Sequence, residues 1–224
     1  MNDISKTIGW ADKSLNPVVG CTYGLCPFCY ARKMNDRFKW IEDFSKPQFF
    51  PDRLKALYSK KSQVIFMDSM SDIADWKYEW KEQIFMACED NPQHKYLFLT
   101  KRPVPALKYP WHSYFYINQN WWVGVSINTN KDEGRPFDLV EETANSTNRF
   151  LSIEPILENI DFQFEFIDWV IVGAETGNRK GKIIPKREWI TDILAQCQEA
   201  KIPVFMKSSL KDIWGEPLIQ EFPW

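Results

Sequence analysis

Three cysteines, Cys21, Cys26 and Cys29, stand within nine residues of one another in a C-x4-C-x2-C loop. Cysteines this close on one loop can bring several thiolates to one metal centre, and thiolates are the usual ligands of zinc and of iron–sulfur clusters. A structural zinc site wants four protein ligands, commonly as two separated pairs. The chain offers few candidates for the fourth. Cys88 and Cys197 fall in segments with amphipathic helical spacing, where a free cysteine behaves as a small buried hydrophobe. His94 and His112 each stand alone beside aromatic residues, a setting that suits capping or packing. Three thiolates match a [4Fe–4S] cube with one iron left free of protein, and that open position is what a catalytic centre needs. A zinc site completed by a distant fourth ligand, in a structural or interaction protein, is the alternative from a different class.

Such a loop needs a scaffold. Six short β-branched and aromatic runs recur along the chain, at residues 64–68 (VIFMD), 96–100 (YLFLT), 121–126 (WWVGVS), 149–153 (RFLSI), 169–173 (WVIVG) and 203–207 (PVFMK). Each is nearly continuous in apolar character, as in strands buried on both faces of a parallel sheet. Helical signals lie between them. Residues 51–60 open with proline at a first helical position, and 77–90 keep helical spacing until Asn91 and Pro92 stop them. Residues 186–200 put Trp189, Ile190, Ile193, Leu194 and Cys197 on one face. A further helix is expected over 136–145, with little sign of one after Glu154. Strand alternating with helix implies right-handed βαβ units, and a strand around 16–20 brings the count to about seven. The 224 residues fall short of the roughly 250 of a complete eight-unit barrel. The expected fold is therefore α/β, a partial (β/α) TIM-type barrel of six to seven parallel strands, with a doubly wound open sheet as the competitor. No repeat, low-complexity tract or linker divides the chain, so 1–224 is expected to form a single domain.

With 28 basic and 30 acidic residues the net charge is −2. That argues against attachment to nucleic acid through a global basic field and leaves room only for a local patch. No apolar run approaches the roughly 20 residues of a membrane span, and the first residues lack the apolar stretch of a secretion signal. The expectation is a cytoplasmic protein without membrane contact, whose thiols stay reduced and serve metal or redox chemistry. In parallel α/β folds the site lies at the carboxyl ends of the strands. Polar residues cluster there, at residues 68–72, 100–102 and 126–128, at Glu154, at Glu175 with Thr176, and at residues 207–209.

The segment Cys26, Pro27, Phe28, Cys29 resembles the second half of the cysteine motif of radical S-adenosylmethionine (radical SAM) enzymes, including the aromatic before the third cysteine. The first spacing departs from that motif by one added residue. A wider resemblance runs along nearly the whole chain: residues 7–10 (TIGW), 16–21 (NPVVGC), 29–31 (CYA), 69–72 (SMSD), 99–103 (LTKRP), 124–126 (GVS), 152–155 (SIEP) and 172–175 (VGAE). In these blocks the chain is similar to a family of phage and bacterial three-Cys-motif proteins of uncharacterised function, themselves described as radical SAM-like.

The resemblance implies that Cys21, Cys26 and Cys29 hold three irons and that S-adenosylmethionine chelates the fourth. One electron, from an external donor such as flavodoxin or ferredoxin, then yields methionine and a 5′-deoxyadenosyl radical. Phe28 matches the position whose backbone contacts adenine. Where the superfamily has a Gly-Gly-Glu stretch for the methionine amino group, this chain has Ser69, Ser71 and Asp72, with Asp68 as the lesser candidate. Ser126 and Asn128 suit the ribose. Lys101 and Arg102 suit the methionine carboxylate or an anionic substrate, and Glu154 and Glu175 suit ribose, substrate or ammonium. Each of these side chains has a plainer role open to it, tying down its own loop. The substrate is unassigned, a small molecule or a nucleic acid. Five basic residues in 179–187 form either a solvated loop or a surface for a polyanion. The latter suggests a second alternative, a lesion repair or modification enzyme resembling spore photoproduct lyase. Trp10 reads as an anchor for the terminus, with a lid over the cysteine loop as its other role.

Overall fold

Each of the six apolar runs forms a strand in the computed structural model, which describes residues 1–5, 8–24 and 26–224. Thr7, in the first of the resembling blocks, lies outside the described residues. In chain order the strands are β1 (Asn2–Asp3), β2 (Lys13–Ser14), β3 (Val18–Val19), β4 (Gln48–Phe49), β5 (Val64–Phe66), β6 (Lys95–Thr100), β7 (Trp121–Ile127), β8 (Asn148–Ile153), β9 (Trp169–Val172) and β10 (Val204–Met206). Eight of them make one sheet in the order β1-β2-β5-β6-β7-β8-β9-β10. Its pairings are parallel except that of β1 with β2.

The first parallel strand is not the one expected around 16–20. Val18 and Val19 pair with β4 in a separate antiparallel ribbon, and β2 takes the place beside β5. Pro17 has no N–H to give a ladder, and Gly20, at φ 112°, turns the chain away. A Cβ on Gly20 would lie 2.8 Å from the Pro47 backbone.

The helices are α1 (Tyr30–Phe38), α2 (Tyr78–Glu89), α3 (Pro103–Leu107), α4 (Trp111–Ile117), α5 (Gly134–Glu141), α6 (Arg187–Ala200) and α7 (Lys211–Trp214). The expected helices at 77–90, 136–145 and 186–200 are present as α2, α5 and α6. Residues 51–60 form a tighter 3-10 helix, Pro51–Tyr58. None lies between β8 and β9. Four were not anticipated: α1, α3, α4 and α7. In α1 only Ala31 and Asn35 are buried, so no buried apolar face announces it. No helix among the described residues is long and apolar enough to cross a membrane.

The sheet curls, and Trp10 shows how far. Its ring lies 4.8 Å from that of Phe66 on β5, 6.4 Å from Phe150 on β8 and 6.2 Å from Trp169 on β9. Strands β5 and β8 are three places apart, about 14 Å in a flat sheet at roughly 4.8 Å per strand. One side chain reaches both only if the sheet wraps around it. The connection from β1 to β2 brings Trp10 into this concave face and continues to β10, where a Cβ on Gly9 would meet Phe205 at 3.0 Å. Alternate residues of β5 to β10 face inward onto that plug, among them Phe66, Leu97, Trp122, Phe150, Trp169, Ile171 and Phe205. The other set packs outward under the helices. Both faces are covered, which is why these strands read as unbroken apolar runs. Gly124 on β7 completes the inner packing, because the Phe150 ring occupies the place of its side chain, 2.7 Å from where a Cβ would sit.

The architecture is a single α/β domain with a curled, mostly parallel eight-stranded sheet. It is a half-barrel whose sheet ends at β1 and β10, not a closed TIM barrel.

Candidate functional site

Above the aromatic plug, at the carboxyl ends of the strands, opens a cavity of about 1200 Å³. Trp10 and Phe66 lie at its base, and Ser14, Asn16, Asp68, Ser126, Ser152, Glu154 and Lys207 line its walls. The cysteine loop and α1 cover one side, contributing Cys21, Cys26, Phe28, Cys29 and Tyr30. Trp10 is thus buried beneath the cavity, an anchor and not a lid.

The cysteine loop is held from three directions. The Cys21 backbone N–H donates to the Phe44 carbonyl at 2.8 Å, and that of Gly20 to the Met70 carbonyl at 3.0 Å. Asp75 accepts from the Thr22 backbone N–H at 2.9 Å and from its hydroxyl, and pairs with Arg102 at 2.8 Å. Burial opposes ionisation of Asp75, but the bonds from Arg102 and Thr22 prevail and hold its carboxyl below the usual range. Arg135 donates to the Tyr23 hydroxyl at 2.8 Å and to the Ser126 carbonyl at 2.6 Å, and pairs with Asp132 at 2.8 Å. Cys29 caps α1, its sulfur accepting from the Arg32 N–H at 3.4 Å.

All three cysteines of the loop are free thiols, partly exposed to the cavity, whereas Cys88 and Cys197 are buried in the core. Burial pushes the Cys21 thiol up to about 12, with Asp72 and Asp75 adding to the effect. It raises Cys26 as well, against the pull of Lys101 and Arg135. His94 is buried, its Nε2 2.8 Å from the Leu57 carbonyl, and His112 stands beside Tyr109 and Tyr116.

The polar residues expected at the strand ends have unequal freedom. Asp72 accepts from the Thr100 hydroxyl at 2.6 Å, from the Ala74 N–H at 2.9 Å and from the Lys101 N–H at 3.0 Å. It ties its own loop to the next. Asp68 lies beyond the end of β5, not within it, and accepts from the Leu99 N–H at 3.1 Å and 3.2 Å. Burial and the nearby Asp72 push its carboxyl well above the ordinary carboxylate range. Ser69 donates to Asn16 at 3.0 Å, and Ser71 accepts from the Trp76 indole at 3.0 Å. Glu175 is clasped by Arg179 through bonds of 2.6 Å and 2.8 Å, which hold its carboxyl below the usual range.

Glu154 pairs with Lys207 across β9. Between them lies Gly173, where a Cβ would come within 3.1 Å of the Lys207 chain and 3.3 Å of Glu154. The missing side chain is what lets the pair meet. Ser126 and Ser152 present side chains to the cavity, and Lys101 enters from β6 near Phe28 and Cys26. Burial lowers the Lys101 ammonium, with Cys26 opposing that shift.

Of the fourteen residues singled out from the sequence, Asn128 and Arg102 are absent from the cavity wall, Arg102 being paired with Asp75. For Asn128 the reason is local. Its amide is spent between the Lys101 ammonium at 3.3 Å and the Pro155 carbonyl at 3.0 Å. The sequence reading missed Tyr30, Ser152, Arg135 and the partnership of Lys207 with Glu154. Lys207 had a signal, a charged residue directly after an apolar strand. Arg135 had none.

Whether the loop suits a cluster depends on donors and room. Three free thiols of the right type face one cavity. Lys101 and Arg135 set positive charge beside Cys26, as anionic ligands require. The cavity exceeds the roughly 300–1,000 Å³ of ordinary small-molecule pockets, enough for a cofactor and a substrate together. Among the described residues no three or more His, Cys, Asp or Glu side chains are already gathered as a metal-binding group. The donor set fits, and assembly would have to draw the thiols together.

Fold and site define an α/β half-barrel with a thiol-bearing loop over the carboxyl ends of its strands. Residues 5–217 match DUF5131, a family described as proteins of unknown function, and the chain belongs to that family. No curated protein and no solved structure matches it. The family description names neither a reaction nor a cofactor.

Proposed function

We propose that the protein is a radical SAM-type enzyme in which Cys21, Cys26 and Cys29 hold a [4Fe–4S] cluster. The observation that carries this reading is the placement of all three thiols on one side of a single large cavity, facing strand ends rich in hydrogen-bonding groups. When bound, such a cluster would supply one electron to S-adenosylmethionine, whose cleavage gives methionine and a 5′-deoxyadenosyl radical able to take hydrogen from a substrate.

The chain's own residues would bind, orient and exclude water. The backbone around Phe28 and the Lys101 ammonium lie beside Cys26 and suit the adenine and carboxylate ends of the cofactor. Asp72 is committed to its loop, so Asp68 and Ser69 are better placed to receive an ammonium. Ser126 and Ser152 suit ribose hydroxyls. The plug of Trp10, Phe66 and Phe150 closes the cavity from below and keeps water from entering along the sheet axis.

Anaerobic reconstitution with iron and sulfide tests the proposal. A brown, reducible cluster should form, and reduction with S-adenosylmethionine present should release 5′-deoxyadenosine. Alanine at Cys21, Cys26 or Cys29 should abolish iron uptake, whereas Cys88→Ala and Cys197→Ala should leave it unchanged. A colourless protein that takes up one zinc ion in iron-replete, oxygen-free conditions would refute the reading in favour of a structural zinc protein.

A further inference from the structure

Helix α1 presents an apolar stripe that the described residues leave largely uncovered, although the Tyr30 hydroxyl donates to the Ser69 carbonyl. Tyr30, Met34 and Phe38 recur at four-residue spacing, which places them on one face. They are 52 %, 38 % and 50 % exposed, and Trp40, just past the helix, is 40 % exposed. Phe38 and Trp40 stack with ring centroids 5.3 Å apart. Tyr30, Met34 and Trp40 also line the cavity, so the stripe runs from the cavity mouth outward.

Cations flank it, with Lys33, Arg37 and Lys39 exposed and Arg32 turned away over the buried Phe44 ring at 5.6 Å. Residues 30–40 hold four basic side chains, Arg32, Lys33, Arg37 and Lys39, against one acid, Asp36, in a chain of net charge −2. None of the four enters a salt bridge among the described residues. Arg37 lies over the Phe38 ring at 5.0 Å. The 179–187 segment is the poorer surface for a polyanion. There Arg179 is clasped by Glu175, and Arg187 donates to the Trp214 carbonyl at 2.7 Å.

We propose that this face of α1 binds single-stranded nucleic acid across the cavity mouth. Aromatic platforms flanked by cations suit a strand whose bases stack on rings while its phosphates meet charge. A duplex keeps its bases stacked internally and offers none to Phe38 or Trp40. The inference gives the proposed enzyme a substrate class and rests on the cavity being its substrate site, while binding itself requires no cluster.

The test is fluorescence anisotropy of a labelled oligothymidylate with the full-length chain. Saturable binding is expected, weakening roughly 20-fold between about 50 and about 200 mM salt if three phosphates are neutralised. Phe38→Ala combined with Trp40→Ala should weaken binding between about five-fold and about 150-fold, the range for one base losing its stacking partner. An unchanged melting temperature would show that this variant is folded. Lys201→Glu, at the opposite end of the sheet, should bind as the parent does. The inference falls if no saturable binding occurs at low salt, if the aromatic variant binds like the parent, or if inorganic polyphosphate competes as well per phosphate as the oligonucleotide. Absent binding with cofactor cleavage intact would strike this inference alone. Saturable binding by a protein that fails to assemble a cluster on anaerobic reconstitution would strike only the radical SAM reading.

Discussion

Asp68 is a buried carboxyl in the cavity wall. It is 3 % exposed, has no cationic partner among the described residues, and is pushed toward its neutral form by burial and by Asp72. An unfolded aspartate titrates near 3.9, so over the interval above that value the folded state binds a proton the unfolded state has lost. Stability must then fall as pH rises from about 4 through the folded value. Asp68→Asn keeps an acceptor for the Leu99 N–H and removes the titration. Its melting temperature relative to the parent should be higher at pH 8 than at pH 5, and a difference constant across that range would show that Asp68 is ionised throughout. The sequence reading preferred Asp72 because 64–68 reads as one strand with Asp68 inside it. The strand ends at Phe66, a boundary no local pattern marks. Glu154 and Lys207 illustrate another limit, since they stand 53 residues apart and only the register of β8, β9 and β10 brings them together.

At the scale of elements, the cysteine loop has little regular structure of its own and takes its position from neighbours. Asp75, at the end of a single 3-10 turn, Ile73–Asp75, joins the loop to Arg102 beyond β6. Asp75→Ala would leave the Thr22 N–H without its acceptor and the Arg102 guanidinium with only the Thr22 hydroxyl. Losing charged hydrogen bonds of this kind costs about 1–3 kcal/mol, and the cost should fall on local opening of the loop. Amide exchange at residues 20–24 is expected to accelerate roughly ten-fold or more, 1.4 kcal/mol being a factor of ten. Exchange in β6 and β7 should change little, whereas uniform acceleration would mean that the contact supports the whole domain. Acid should act similarly. Because the folded Asp75 carboxyl is held low, its contribution is intact above the unfolded value near 3.9 and lost as pH falls through the folded one. The strands and the long helices α2 and α6 were legible because they bury a periodic face. The clamp was not, because its members come from three loops distant in the chain.

Taken whole, the half-barrel has two unlike ends, and their difference explains why one cavity forms. At the amino ends of the strands, Trp169 stacks within 6.5 Å of Trp10, Trp122, Phe150, Phe205, Phe222 and Trp224. The C-terminal segment closes that end. Ile219 accepts from the Met206 N–H at 2.7 Å, and the Glu221 carbonyl accepts from the Trp169 indole at 2.9 Å. At the carboxyl ends the inward positions turn small or polar, Gly124, Ser126, Ser152 and Gly173, and space opens above them. The seal and the site should therefore be separable. Phe222→Ala with Trp224→Ala removes two rings, each 43 % exposed. At roughly half the usual 3–5 kcal/mol per buried aromatic, the pair should cost on the order of 3 kcal/mol. For a chain of this size that lowers the melting temperature by about 6–12 °C. Well below that transition, alkylation rates of Cys21, Cys26 and Cys29 should match those of the parent. Faster alkylation in the folded variant would show that the aromatic end also holds the cysteine loop in place, and the cavity would then depend on the whole half-barrel and not on its rim alone.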